Sequence, residues 1–208
     1  MLPQRNFLIV SHRARSDADF PLDDLCGASG RWDGLVRCVT AGLLVSHGIR
    51  KDSAVHLLLN GPGDPPRTLS VLGSEVRHLN PDERSTAALM RRALERPPPT
   101  LPSVLWAGFG IYVSRTGLDG ILGSWKASFR LLDEKGEDAF SDLNPLEPSK
   151  DATPMVFILS DDQDLLPEEE SLISTSGVPS VSLSRTVLHS YQAITACHLA
   201  LDRSAPGP

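Results

Sequence analysis

The sequence contains few cysteines and no long apolar run. Cys26, Cys38 and Cys197 are the three cysteines among 208 residues, too few and too scattered for a disulfide framework or a zinc site. The longest apolar stretch, at residues 103–113, is interrupted by glycines and is shorter than the roughly 18 to 20 residues that cross a bilayer. We therefore expect a cytoplasmic protein with no membrane partner and no bound metal.

Several common catalytic signatures are also missing. No GxGxxG follows the first apolar run, which argues against a dinucleotide fold and against a glycine-rich methyltransferase loop. No GxSxG is present for a nucleophilic serine, and the six histidines show no metal-ligand spacing. Residues 61–66 (GPGDPP) lack the Gly-Lys-Ser/Thr ending of a phosphate loop and predict a turn. Standard motifs therefore do not indicate a function.

The charge is acidic overall but unevenly distributed. The chain carries 20 Lys and Arg against 26 Asp and Glu, a formal net charge of −6. Residues 1–100 hold 13 basic against 11 acidic residues (net +2), whereas residues 101–208 hold 7 against 15 (net −8). The total argues against indiscriminate nucleic-acid binding, and we expect no DNA partner, but the first half can carry a local anion-binding face. Charge alone also fits a protein with no ligand.

Short apolar runs alternate with amphipathic stretches along most of the chain. This alternation predicts an α/β fold with a mostly parallel sheet. We expect a single domain over residues 1–203, with a small hairpin extension at about 67–79, a linker from 97 to about 108 and a flexible tail at 204–208. The predicted strands are residues 7–11, 54–59, 110–115, 129–133, 155–160 and 180–183, and the predicted helices are residues 32–46, 82–96, 118–128, 165–174 and 187–201.

A first group of candidate binding residues lies in the basic half. Arg31, Asp33 and Arg37 fall within two helical turns. Residues 80–83 (NPDE) predict the start of a second helix, with Asn80 as the N-cap and Pro81 as the first helical residue.

Three arginines of this second helix have the spacing i, i+7 and i+8. Arg84, Arg91 and Arg92 therefore share one helix face. Guanidinium groups bind phosphates in bidentate fashion, and helix N-termini also favour anions. The same pattern is equally typical of a solvated helix with salt bridges between successive turns.

A second group of candidates lies in the acidic half. Residues 156–162 (VFILSDD) and 180–188 (SVSLSRTVL) are apolar runs that lead into small or polar residues before a helix. Ligands of open α/β sheets bind at the carboxyl ends of such strands, where free backbone N–H groups are available. These two strand-to-helix connections therefore favour the binding of a nucleotide-like cofactor.

Taken together, five segments resemble one family. The segments are LDDLCGASGRWDGLVRCVTAGLLVSHGIRKD (22–52), DPPRT (64–68), LGSEVRHLNPDERSTAALMRRAL (72–94), VFILSDD (156–162) and SVSLSRTVLH (180–189). They are similar to the archaeal tRNA (pseudouridine(54)-N1)-methyltransferases of the SPOUT superfamily, over about residues 4–203. The resemblance implies an S-adenosylmethionine-dependent enzyme that methylates N1 of pseudouridine 54 in tRNA. It further implies a homodimer and a SPOUT-type α/β fold with a deep C-terminal trefoil knot, a feature that most folds avoid.

The resemblance also implies roles for individual residues. The cofactor-binding positions that it implies are Leu132, Ser160, Val181, Ser182, Leu183, Ser184, Arg185, Thr186 and Ala193. For removing a proton from N1, or for orienting an arginine, we consider the carboxylates Asp33, Asp82 and Glu83. For RNA binding, the candidates are Arg31, Arg37, Arg84, Arg91 and Arg92.

Two other functions stay open. One is the same reaction on ribosomal RNA, as in a related SPOUT family. The other is an RNA-binding SPOUT dimer without turnover, because the last helix begins His189-Ser190-Tyr191-Gln192 where the family usually has His-Ala-Asp/Asn-His.

Overall fold

A computed structural model describes residues 2–96, 104–141, 146 and 153–204. This part of the chain contains ten strands and five helices. The strands are β1 (Arg5–Ser11), β2 (Leu44–Val45), β3 (Gly48–Ile49), β4 (Ser53–Leu59), β5 (Arg67–Leu72), β6 (Val104–Gly108), β7 (Ile111–Ser114), β8 (Ser128–Asp138), β9 (Met155–Ser160) and β10 (Ser180–Ser182). The helices are α1 (Trp32–Leu43), α2 (Glu83–Leu94), α3 (Leu118–Ser124), α4 (Pro167–Thr175) and α5 (Ser190–Ser204).

Eight strands form one sheet in the order β10-β8-β9-β1-β4-β5-β7-β6. The five strands from β10 to β4 are parallel to their neighbours, and β5, β7 and β6 extend the sheet in antiparallel pairs. The predicted α/β fold with a mostly parallel sheet is confirmed. Among the described helices, none combines the length and the apolar character needed to cross a membrane.

Both faces of the central strands are buried, as expected for parallel strands covered by helices on each side. Phe7 and Ile9 of β1 face one core cluster together with side chains of α1, α2 and α5. Leu8 and Val10 of the same strand face a second cluster that includes Ile121 of α3. The continuous apolar runs that predicted these strands thus reflect burial on both faces.

The predicted hairpin at 67–79 is wrong in its pairing. β5 pairs with β4 and β7, and residues 75–79 form no strand. The chain turns sharply after β5, where the N–H groups of Glu75 and Val76 both donate to the carbonyl of Leu72, at 3.0 and 2.7 Å. Val76 and Leu79 are buried in the core, so these apolar residues contribute to core packing and are not part of a strand.

The N-cap of α2 is Asp82 and not the predicted Asn80. The Asp82 carboxylate accepts the N–H of Ser85 at 2.7 Å, which satisfies one of the free donors at the helix start. Residues 104–108, predicted as part of a linker, form the edge strand β6. The rest of that predicted linker (97–103) and tail residues 205–208 lie outside the described residues.

The last helix is held to the sheet by a cluster of ion pairs. Asp202 of α5 bonds Arg5 at the start of β1 and also Arg50, whose NH2 lies 2.6 Å from Asp202 Oδ2. Hydrogen bonds from Arg50 lower the pKa of Asp202 to about 2. A carboxylate with a lowered pKa stabilises the fold above its unfolded pKa of about 3.9 and loses that contribution as the pH falls toward the folded value.

Asp202→Asn is therefore expected to destabilise the protein at pH 7. The Asp202 side chain is 39% exposed, so solvent screening reduces the expected cost to roughly 1 kcal/mol. Urea unfolding at pH 7 and at pH 3 measures it, and the difference between variant and wild type should shrink at the lower pH. A constant difference across this range would show that the lost charge is not responsible.

Candidate functional site

A cleft lies beside the carboxyl ends of the parallel strands β9 and β10 and the start of α5. Its volume is about 340 Å³, within the usual range of about 300 to 1,000 Å³ for small-molecule sites. Of the nine predicted cofactor-binding residues, seven line the cleft: Leu132, Ser160, Val181, Leu183, Ser184, Thr186 and Ala193. Ser182 is buried and its hydroxyl donates to the Ser184 carbonyl, and Arg185 is exposed, so neither lines the cleft.

The start of α5 is attached to the end of β9, and both line the cleft. The hydroxyl of Ser190, the first residue of α5, donates to the carbonyl of Ser160 at 2.6 Å. Gln192 Oε1 accepts the N–H of His189 at 3.0 Å and caps the start of the helix. The polar residues at the start of α5 thus position the helix against the cleft.

The residues that line the cleft suit S-adenosylmethionine, whose sulfonium and amino groups are cationic. Among the described residues, five carboxylates line the cleft, those of Asp133, Glu134, Asp161, Asp162 and Asp164, together with Arg31 and His189. The floor is apolar, formed by Leu159, Val181, Leu183, Leu188 and Ala193. The cleft therefore combines apolar surface for a ring with negative charge for a cationic group.

An arginine–carboxylate cluster borders the mouth of this cleft. Arg31 directly precedes α1 in a left-handed conformation (φ 71°), which is uncommon for a residue with a side chain. Its guanidinium bonds Asp33 at 3.1 Å and lies 3.5 Å from Asp162. The strained backbone and the two carboxylates aim Arg31 into the cleft.

Asp33 is a poor proton acceptor in this setting. Its side chain is only 3% exposed, and burial raises its pKa. Hydrogen bonds from Arg31 and Cys26 and the charges of Arg31 and Arg37 together outweigh that effect, so the pKa of Asp33 lies below its usual value. Asp33 therefore stays ionised near neutral pH and orients the two arginines.

Arg37 joins α1 to α2 and to the last helix. Its Nε donates to Glu83 at 2.7 Å, and its NH1 lies 3.6 Å from Asp33. Its guanidinium carbon lies 5.9 Å from the centre of the Tyr191 ring, within the usual range of a cation–π contact. A small cavity of about 60 Å³ separates Arg37 from Ser190 and shares Arg31 with the cofactor cleft. The two predicted binding regions are thus adjacent.

Four of the predicted residues lie apart from this cluster. Asp82 caps α2 and is exposed, and Arg84 is exposed as well. Arg91 donates to the carbonyl of Phe20 at 3.3 Å. Arg92 lies over the ring of Phe109 in a different cleft. The three arginines predicted to share one face of α2 therefore have different environments. Arg91 packs against the chain at Phe20, whereas Arg84 and Arg92 lie on two different surfaces.

Sequence reasoning missed a network of largely buried side chains beside the cleft, because the six histidines showed no metal-ligand spacing. His12 Nε2 bonds Glu169 at 2.8 Å, and the His12 N–H donates to Asp161 Oδ2 at 3.0 Å. Asn60 also donates to Glu169, at 3.2 Å. His12 and Asp161 directly follow the neighbouring strands β1 and β9, and this shared position is the signal that could have identified them.

Comparison with known proteins identifies the family. The profile of a family described as "Putative SAM-dependent RNA methyltransferase" matches residues 4–205. A tRNA (pseudouridine(54)-N(1))-methyltransferase of Methanopyrus kandleri is 42% identical, over 97% of this chain and 94% of that protein. The protein of the same name from Haloarcula marismortui is 39% identical, over 95% of this chain and 96% of that protein.

A solved structure shares the fold. Archaeoglobus fulgidus Nep1 bound to S-adenosylhomocysteine superposes with a TM-score of 0.64 at 14% identity, covering 96% of this chain and 98% of that one. The match of the family profile over nearly the whole chain, together with the identity to these archaeal relatives, shows that the chain belongs to this family of SAM-dependent RNA methyltransferases.

Proposed function

We propose that this protein transfers a methyl group from S-adenosylmethionine to N1 of pseudouridine 54 in tRNA. The observation that carries the proposal is the identity of 35 to 42% to archaeal proteins of that name, over at least 95% of this chain. The fit of the cleft to the cofactor and the adjacent arginines supports it independently of the relatives.

S-adenosylmethionine, when bound, supplies a methyl group that is already activated by its positively charged sulfur. Of the cofactor-binding residues implied by the family resemblance, the seven that line the cleft would hold it through backbone groups and apolar contacts: Leu132, Ser160, Val181, Leu183, Ser184, Thr186 and Ala193. Ser190 fixes the start of α5 against this site through its bond to Ser160. The protein's main task is to align the acceptor nitrogen with the methyl group.

Arg31 and Arg37 are placed to hold the substrate base or its phosphate. Pseudouridine is joined to ribose through carbon, so its N1 carries a proton. That proton would pass to water as N1 takes the methyl group, and the cofactor would leave as the neutral thioether S-adenosylhomocysteine. Asp33 and Glu83 keep the guanidinium groups of Arg31 and Arg37 oriented. A base in the T-loop must leave its stack to reach the cleft, and fixed guanidinium forks can hold it there.

Several finer properties belong to the same proposal. A single domain over residues 1–203 would contain a deep C-terminal trefoil knot, supported by the position of β9 between β8 and β1 and by the bond from Ser190 back to the end of β9. The protein would act as a homodimer in the cytoplasm. Sedimentation should give about twice the chain mass of 22.5 kDa, and a clean monomer would contradict the dimer.

Nucleoside mass spectrometry tests the reaction. tRNA and ribosomal RNA from cells that lack the modification are incubated with protein and S-adenosylmethionine, and we expect N1-methylpseudouridine in tRNA only. Product in ribosomal RNA alone would favour the alternative substrate. Calorimetry in parallel measures cofactor binding, and no detectable binding would exclude both enzymatic functions.

A further inference from the structure

A second, larger cleft lies at the antiparallel edge of the sheet. Its volume is about 1,110 Å³, and it is formed by the turn after β5, the end of α2 and the turn between β6 and β7. We call it the arginine–aromatic groove and define it by Lys51, Arg77, Arg92, Arg96, Trp106 and Phe109. Nothing in the proposed methyl transfer uses these residues together.

Four cations of the groove have no carboxylate partner among the described residues. Lys51, Arg77, Arg92 and Arg96 are exposed, and within the described ranges none of them forms an ion pair. Some arginines elsewhere, among them Arg5, Arg37 and Arg115, are paired with carboxylates at 2.5 to 3.3 Å. The groove therefore concentrates free positive charge on a protein whose net charge is −6.

The acidic residues of the groove offset this charge only in part. Glu75 and Glu95 also line it, against four cations. Glu75 accepts a hydrogen bond from the Tyr112 hydroxyl at 2.7 Å, which directs its carboxylate to the sheet. The groove is thus locally basic and fits a polyanion.

Two aromatic side chains line the same groove, Trp106 and Phe109. Trp106, on the edge strand β6, is 62% exposed. Phe109 lies between Gly108 and Gly110 in three consecutive left-handed conformations, with φ of 104°, 55° and 77°. Such a conformation is costly for a bulky residue and is typical of functional positions.

The Phe109 ring is also held from two sides. The Arg92 guanidinium carbon lies 5.3 Å from its centre, and the His78 ring meets it edge-on at 5.4 Å. These contacts fix the Phe109 ring beside a cation. Trp106, on the neighbouring strand β6, stays exposed to solvent. Basic grooves with aromatic platforms are typical of surfaces that bind unpaired nucleotides, because every base can stack on an aromatic ring.

The groove is distant from the cofactor cleft. Four to six strand positions separate β8 and β9, at the cleft, from β7 and β6, at the groove. At a spacing of about 4.8 Å per strand, the two sites lie roughly 20 to 30 Å apart. When the target nucleotide is held beside the cofactor cleft, the groove is therefore far enough away to contact another part of the same RNA.

We propose that the arginine–aromatic groove binds a second segment of the RNA substrate, with phosphates on Lys51, Arg77 and Arg92 and an unstacked base on Trp106. This inference rests on the proposed function, because the substrate is taken to be tRNA. The groove would select long, folded RNA over short stem-loops and would add salt-dependent affinity to an acidic protein.

The charge arm of the test uses Arg77→Glu, with Arg203→Glu as the matched control. Arg203 is exposed on α5 and lies outside both clefts. We expect Arg77→Glu to weaken binding of full-length tRNA roughly tenfold and to lower the slope of log K against log salt by about 1. For a T-arm stem-loop with pseudouridine at position 54, the loss should be at least fivefold smaller. Arg203→Glu should match wild type on both RNAs.

The stacking arm uses Trp106→Ala, with Trp106→Phe as the conservative variant. Loss of a stacking ring weakens binding by roughly 5- to 150-fold per base, and we expect a decrease in this range for full-length tRNA with an unchanged salt slope. Trp106→Phe should recover most of the affinity. Thermal unfolding of each variant confirms that the fold is intact.

Wild-type methylation separates this proposal from the function on which it rests. If wild type methylates neither RNA, the proposed function fails. If wild type methylates tRNA but Arg77→Glu and Trp106→Ala bind full-length tRNA like wild type, the groove is not an RNA site. The proposal is equally overturned if Trp106→Ala changes the oligomeric state and leaves tRNA affinity intact, because the groove would then be a protein interface.

Discussion

Replacing Arg37 with alanine is expected to lower kcat/KM for tRNA methylation about 10- to 150-fold, with the Kd for S-adenosylmethionine changed less than twofold. A hydrogen bond from a charged group contributes about 1.5 to 3 kcal/mol, which corresponds to this range. Arg37 lines the small cavity beside the cofactor cleft but not the cleft itself. Its loss should therefore affect the RNA and spare the cofactor.

Arg37→Lys is the matched control for charge. Lysine keeps the positive charge but lacks the planar fork that contacts Glu83, Asp33 and the Tyr191 ring. We expect it to recover only a small part of the lost activity. Single-turnover kinetics and calorimetry provide the two readouts. An equal loss of cofactor affinity would show that Arg37 belongs to the cofactor site.

The stability of the fold is expected to fall by about 4 kcal/mol between pH 8 and pH 5. His56 and His198 are only 1% and 3% exposed. Burial lowers the pKa of His56 to about 3, and burial together with the charge of Arg50 lowers the pKa of His198 to about 4. Both side chains are therefore neutral in the folded protein over this whole range.

The sign of the effect follows from where the protons bind. Below the unfolded pKa of about 6.5, the unfolded chain takes up protons at both positions while the folded chain does not, so stability falls with the pH. Each histidine contributes about 2 kcal/mol by pH 5. The loss continues until the pH reaches the folded values of about 4 for His198 and about 3 for His56.

Urea unfolding of wild type, His198→Gln and His47→Gln at both pH values measures this effect. Glutamine at position 198 can keep the hydrogen bond to the Gly42 carbonyl but cannot titrate, so about half of the pH dependence should disappear. His47 is exposed, and His47→Gln serves as the control for a histidine-to-glutamine change outside the core. Equal stability of wild type at pH 8 and pH 5 would refute the assignment of buried neutral histidines.

The central strands could be predicted because burial on both faces requires consecutive apolar residues, which are visible in the local sequence. β1 and β9 contain continuous apolar runs, β4 is interrupted by the buried His56, and all three strands were predicted within two residues. The edge strand β6 has no comparable sequence signal, since Val104 and Trp106 are 61% and 62% exposed and burial does not dictate their type. Its pairing with β7 is a tertiary contact that the proline-rich segment before it concealed.

The sequence predicted two separate groups of site residues but not how these groups contact each other in the fold. Local motifs identified the arginines before and on α1 and the polar joins after β9 and β10. The contact of Arg37 with Glu83, 46 positions away, depends on how α1 packs against α2. The same packing directs Arg92 toward Phe109, away from Arg37. Helix spacing alone therefore could not divide the arginines of α2 between two sites.

The most direct measurement compares two otherwise identical tRNAs, one with pseudouridine and one with uridine at position 54. Both are incubated with wild-type protein and methyl-labelled S-adenosylmethionine, and the labelled nucleoside is identified by mass spectrometry. Because N1 of uridine is bonded to ribose, we expect one N1-methyl group per molecule in the pseudouridine tRNA and none in the other. Equal labelling of both tRNAs, or no labelling of the pseudouridine tRNA, would contradict the proposed function.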